Sequence, residues 1–156
     1  MLAMVTSRSQ TERGHETPFI HQFSIFLSNR VGQLNELLAL LRTAKVQAAG
    51  ISVVDSAECA VVRMVFTDPP RARDTLTRHK IPFTECDALA IVLADEDTLA
   101  EMLEALVAAE LNVSFAYPLL IRRAGNPVLA FHVDDNVLAV HTLGKHGFTL
   151  LDHEDV

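Results

Sequence analysis

The sequence lacks several things whose absence excludes whole classes of protein. No apolar run approaches the ~20 residues of a membrane-spanning helix; the longest, Ala88 to Ala94, is strand-sized. There is no excess of basic residues. Lys and Arg number 13 against 20 Asp and Glu, a formal charge of −7. A phosphate-backbone binder needs a basic surface, so nucleic acid is excluded as a partner, and direct transcriptional control with it. Cysteine is scarce: Cys59 and Cys86 lie 27 residues apart with no CxxC. That spacing excludes a disulfide framework and fits a reducing cytoplasm. Met1 to Val5 is too short for a signal peptide and Thr6 to Pro18 is polar, so residues 1–18 read as a flexible tail.

Catalytic and cofactor patterns are also missing. No GxGxxG or GxxxxGK[ST] cradles a nucleotide phosphate, and no GxSxG presents a nucleophile. The seven histidines, His15, His21, His79, His132, His141, His146 and His153, form no HxxxH or HExxH. Metal-ligand spacing is therefore absent, and the reading assigns no metal and no cofactor. Asp95-Glu96-Asp97 lacks the central glycine and ligand spacing of a calcium loop and reads as a solvated helix start. Gly144 reads as a helix C-cap, and both cysteines as small hydrophobes in or beside strands.

Apolar residues make up 49% of the chain and charged residues 21%, the balance of a folded globular protein. Phe19 to Leu27 has strand character. Leu34, Leu37, Leu38, Leu41 and Ala44 then fall on the stripe of an amphipathic helix. Strands over Val46–Val54 and Cys59–Phe66 follow. Asp68-Pro69 opens a second helix, with the aspartate as N-cap and the proline at its first position, running to about Arg78. A short strand follows Pro82.

The order β-α-β-β-α-β then repeats. A shift of 65 residues lays Leu34, Leu37, Leu38, Leu41 and Ala44 on Leu99, Met102, Leu103, Leu106 and Ala109. The second copy reads as strand Ala88–Leu93, helix Thr98–Ala109, strands Asn112–Ile121 and Val128–His132, helix Asp135–Lys145 and strand Phe148–Leu151. One offset that carries a helix stripe and its flanking strands marks an internal repeat. Right-handed crossovers give each copy a four-stranded antiparallel sheet with two helices on one face. The expected fold is therefore α+β, two tandem ferredoxin-like βαββαβ domains over residues 19–86 and 87–156. A core of this size is marginal alone, so each sheet must meet its sister copy or a second chain as a homodimer.

The informative turn is Ser28-Asn29-Arg30-Val31-Gly32-Gln33-Leu34. Gly32 permits a positive φ or a close backbone approach. The helix start behind it offers N–H groups to an anion, and Asn29 adds an amide. Two readings stand: a seat for the α-carboxylate and α-amine of an amino acid, or a helix capped by Asn29 with Gly32 easing the turn.

SIFLSNRVGQLNELLALLRTAKV, with its N-R-x-G-x-L turn, resembles the start of an ACT domain. The strand order fits the same family, and the resemblance covers residues 20–156 as two copies. It implies a regulatory module that binds small ligands, mostly amino acids, between paired domains. Asn29, Arg30, Val31, Gly32, Gln33 and Leu34 would be the ligand-side turn. The opposing wall would be Gly50, Ile51 and Ser52, or Asn112, Val113 and Ser114. The second copy departs from the pattern, with Ala94, Asp95, Glu96 and Asp97 at the turn. These acids suit a helix start, with Thr98 and Glu101 as a capping box, and would repel a carboxylate. One ligand site per chain is expected, built on the first copy and roofed by the second.

Arg63 alternates with Val62 and Met64 and so faces the opposite side of its sheet, at an interface or toward water. Pro118 marks an edge or a bulge, and Tyr117 either closes over a ligand or packs. The functional expectation is a cytoplasmic amino-acid sensor without catalysis. The alternative is a dimerisation scaffold or regulatory subunit for a metabolic enzyme, with no ligand of its own.

Overall fold

The structure, a computed structural model, describes residues 18–156. Of the expected tail only Pro18 is described, and it is buried; residues 1–17, His15 among them, lie outside the described residues. The elements run β1 (Ile20–Leu27), α1 (Gln33–Thr43), β2 (Ala48–Asp55), β3 (Ala60–Phe66), α2 (Pro69–Arg78), β4 (Phe83–Val92), α3 (Thr98–Ala108), β5 (Val113–Arg123), β6 (Asn126–Val133), α4 (Asn136–Lys145) and a 3-10 turn at His153–Asp155. The strands are antiparallel and close into one ring, in the order β1-β3-β2-β5-β6-β4. Among the described residues this α+β fold thus carries four helices around a single closed six-stranded sheet.

Two expectations are corrected here. The strand after Pro82 and the strand Ala88–Leu93 are one continuous strand, β4. Its first half pairs with β1, from Ile20↔Ala88 to Ile25↔Phe83. Its second half pairs with β6, from Leu89↔Phe131 to Val92↔Val128. Nothing between them breaks a strand, since Glu85 and Asp87 alternate with inward Thr84 and Cys86. The expected strand Phe148–Leu151 shrinks to a bridge, Ile91↔Leu150, on the edge of β4 opposite β6, because β1 already takes the first half of that edge. The ring closes where β2 meets β5 at Gly50↔Leu119.

Alternation along the strands sorts the side chains into three cores. Phe23, Ile25, Val62, Met64 and Phe66 face outward and are covered by Leu37 and Leu41 of α1 and Leu76 of α2. Leu89, Ile91 and Phe131 face outward in the second half, under Met102 and Leu106 of α3 and Leu143 of α4. The ring interior holds Ile20, Val65, Ala88, Ala90, Tyr117, Leu119 and Ala130. Each large side chain so buried contributes about 1.5–3 kcal/mol. The helix stripes are narrower than the periodicity predicts: Leu38 stays 39% exposed and its repeat partner Leu103 41%.

Asp68 caps α2 by accepting from the Arg71 N–H at 3.1 Å, with proline following as expected. Gly144 is not a C-cap but lies within α4; the left-handed residue is Gly147, at φ 78°. The cysteines are half-buried rather than buried. No helix among the described residues is long and apolar enough to cross a membrane.

Candidate functional site

The β1–α1 turn stands at one end of the first half's strands. The register Leu27↔Ala60 and Asp55↔Ala60 places the end of β1, the start of β3 and the end of β2 in one row. Gly32 takes φ 89° at the N-cap of α1, a left-handed conformation that disfavours other residues. Glu36 N–H donates to the Gly32 carbonyl at 2.9 Å, and Gln33 N–H to the Arg30 carbonyl at 3.2 Å. No side chain among the described residues caps this helix. Asn29 does not do so; its amide donates to the Ser56 carbonyl at 2.7 Å and ties this turn to the β2–β3 turn. The reason is geometric, since the left-handed Gly32 has already taken the cap position.

A cavity of about 320 Å³ opens at this turn. One wall is Leu27, Ser28, Asn29, Arg30, Val31, Gln33 and Leu34; the other is Val53 and Asp55 of β2 with Ala60 and Val62 of β3. Its volume lies at the low end of small-molecule pockets. Arg30 is held across the rim by Glu36, N···O 3.2 Å, an exposed pair of small energetic weight. Val31 is almost wholly exposed, an apolar side chain at the edge of the opening.

The structure thus brings together Asn29, Arg30, Val31, Gln33 and Leu34, with Gly32 at the same turn. The other expected wall residues lie outside this lining. Gly50 sits at the β2–β5 seam, Ile51 packs under the first helices, and Ser52 faces Arg63 in register. Asn112 meets Asp134, Val113 packs in the second outer core, and Ser114 lies beside His132. Val53 and Asp55 were missed. They were findable in principle: in a split β-α-β unit the first two strands run parallel, so their C-terminal ends fall on the same side.

The second half differs at its turn. The Asp95 carboxylate accepts from Asp97 N–H at 3.0 Å, Thr98 N–H at 2.9 Å and the Thr98 hydroxyl at 2.8 Å. These bonds, the Thr98 hydroxyl foremost, hold its carboxyl below the usual range. The expected Thr98–Glu101 box is therefore replaced by an Asp95–Thr98 pair, because Asp97 rather than Thr98 is the N-cap. A carboxylate accepts from backbone N–H groups at the start of α3, whereas at the start of α1 the Glu36 carboxylate accepts from the Arg30 and Gln33 side chains and no described side chain caps the helix.

The sequence profile of the ACT domain pair matches residues 18–154. The chain belongs to the ACT domain family. The second half, whose turn motif is lost, is thereby an ACT domain as well. No curated protein matches this chain in sequence. Among solved structures, a protein from Bacteroides thetaiotaomicron is similar at TM-score 0.80 and 20% identity, over 88% of this chain and 94% of that one. The regulatory subunit of aspartate kinase from Thermus thermophilus, in a ligand-free form, is similar at TM-score 0.55 and 10% identity, over 81% and 91%. A structure of aspartokinase alpha and beta subunits gives TM-score 0.56 and 11% identity, over 83% and 93%. At these identities the likeness is one of fold.

Outside the turn, Tyr117 is packed, with its hydroxyl donating to Gln22 Oε1 at 2.6 Å inside the ring. Burial pushes that phenol well above its ordinary range. Pro118 stands at a register shift in β5, as expected of a strand proline. Among the described residues no group of three His, Cys, Asp or Glu is placed to hold a metal.

Proposed function

We propose that this ACT pair is a regulatory protein that binds one free amino acid per chain at the β1–α1 turn of its first domain. The observation that carries this reading is the cavity between the Asn29–Leu34 turn and the end of β2. The α-carboxylate is received at the uncapped start of α1, where backbone N–H groups and the helix dipole favour an anion. The α-ammonium is received by Asp55, the acid on the facing wall. Val31, Leu34 and Val53 take the side chain. Asp95 fills the equivalent place in the second domain, which supports a single site.

The protein acts by linkage rather than catalysis, in the cytoplasm and as a homodimer. Ligand binding shifts domain packing or assembly by its differential affinity for two states. The regulated partner is a metabolic enzyme; the fold it shares with an aspartate kinase regulatory subunit favours this. A ligand-free scaffold is the second reading. It is favoured by the exposed ridge of Leu99, Leu103 and Val107 on α3, which are 42%, 41% and 73% exposed.

The test is thermal unfolding against each of the twenty amino acids. A ligand at about 100 times its Kd adds about 2.7 kcal/mol, which raises the midpoint by several degrees. Asp55→Asn should lose the shift. No shift from any amino acid would move the reading to the scaffold.

A further inference from the structure

A second polar constellation lies inside the ring, away from the β1–α1 turn. Inward positions are closed deeper in the ring, with Ile20, Gln22, Val65, Ala88, Tyr117 and Ala130 all buried. Toward one end of the strands they open: Cys86, Ser24, Arg63, Ser52, Phe115 and His132 are half-buried and Thr84 is exposed. The register pairs Thr84↔Ser24, Ser24↔Arg63 and Ser52↔Arg63 put three hydroxyls and one guanidinium in a single row across four strands. Directly paired residues in an antiparallel sheet point to the same face.

The opposite wall of this mouth is aromatic. Phe115 lies under the Arg63 guanidinium, 4.4 Å from its ring centre, and stacks on His132 at 5.3 Å. Arg63 Nε is buried with no hydrogen-bond partner among the described residues. Among the described residues Arg63 has no carboxylate partner, and the hydroxyls of Ser24, Ser52 and Thr84 have no protein partner. A guanidinium N–H buried without an acceptor is costly, and native structures rarely leave one.

We infer that the mouth of the ring, centred on Arg63, is a second ligand site that takes a small carboxylate with an apolar stem and no α-amine. The row offers one positive charge and neutral donors, which matches a monoanion; a phosphate dianion would be left half-compensated. An amino acid would bring an ammonium beside Arg63, where the row has no acid to receive it. Phe115 and His132 supply the surface for the stem. The ligand class therefore differs from that of the β1–α1 turn.

The reporter for a test is built in. Tyr117 is the one tyrosine of a chain without tryptophan, and it sits one step inside this mouth. Its emission is followed in the full chain during titration with propionate at constant ionic strength. Alanine, which differs from propionate by the ammonium, and inorganic phosphate are titrated in parallel. Propionate should give a saturable change, and Arg63→Gln should raise its Kd by about tenfold or more, the weight of one charge-assisted hydrogen bond. If Arg63→Gln loses cooperative unfolding, the Ser24→Ala/Ser52→Ala double variant takes its place and should weaken propionate several-fold. No saturable change with propionate in the wild type, equal binding by the variant used, or equal binding of alanine or phosphate would each overturn the assignment. An amino acid that raises the unfolding midpoint without displacing propionate bears on the other site alone.

Discussion

The seam between the two halves makes a sharp prediction at Gly50. A Cβ added there would lie 2.4 Å from Leu119 Cδ2, 3.5 Å from Tyr117 Cε2 and 3.6 Å from Val65 Cβ. The first distance is far inside contact. Leu119 is 7% exposed, so its methyl cannot swing into solvent and must repack within the ring. Overpacking of this kind costs about 1–3 kcal/mol. Loss of glycine's freedom in the unfolded chain returns about 0.4–1 kcal/mol. Gly50→Ala should therefore destabilise the protein by about 1–2 kcal/mol, seen as a drop of several degrees in the unfolding midpoint. Leu119→Ala alone leaves a cavity and costs about 2–5 kcal/mol. The double variant should cost less than the sum, because each change relieves the other, with a coupling of about 1 kcal/mol or more in urea unfolding. A Gly50→Ala variant within about 0.5 kcal/mol of wild type, or strict additivity in the double variant, would refute this account of the seam.

Two further predictions concern the ends of the chain's elements. Asp95→Ala should lower the unfolding midpoint and speed amide exchange in the first turn of α3, since three donors lose their acceptor; unchanged exchange there would count against the cap. His153 should make stability fall with acid. Burial, foremost, holds its imidazole below the ordinary value; the Phe66 carbonyl opposes this, a nearby His21 adds to it and Asp152 opposes it more weakly. Its Nδ1 accepts from His21 N–H at 3.0 Å and its Nε2 meets the Phe66 carbonyl at 2.9 Å, a pairing that needs the neutral ring. The folded state thus binds fewer protons than the unfolded one. The contribution is full above about pH 6.5 and is lost as pH falls toward the depressed value. Urea midpoints at pH 7.5 and 5.5 should differ in the wild type and differ less in His153→Gln; equal slopes would sink the assignment.

What was legible in the sequence was local. The helix stripe from Leu34 to Ala44, its copy 65 residues later and the Asp68-Pro69 start all depend on neighbours a few residues away. The alternation that set Arg63 against Val62 and Met64 was legible for the same reason. The fusion of two expected strands into β4 was not, because it depends on β1 and β6 each taking half of one strand. The turn at Asn29–Leu34 could be read as chemistry, and topology pointed to the C-terminal end of the second strand as its facing wall, but not to the residues that line it. Asp55 joins it through the register of three strands, and no short spacing encodes that. The capping alternative for Asn29 fails for a related reason: its partner, the Ser56 carbonyl, belongs to another turn.

The strand that joins these observations is β2. Asp55, at its C-terminal end, lines the cavity of the β1–α1 turn. Ser52, near its middle, stands in register with Arg63 in the mouth of the ring. Gly50 meets Leu119 at the seam where the first half touches the second. A register shift between Ala48 and Gly50 breaks the regular ladder to β3 at the seam itself, so the strand is irregular where the halves meet. Coupling between sites requires an element whose position both ligands bias. In a closed ring a shift of β2 cannot be absorbed at a free edge; it must pass to β3 on one side and β5 on the other. Closure of the ring, more than the duplication itself, is what would let occupancy of the first domain reach the second.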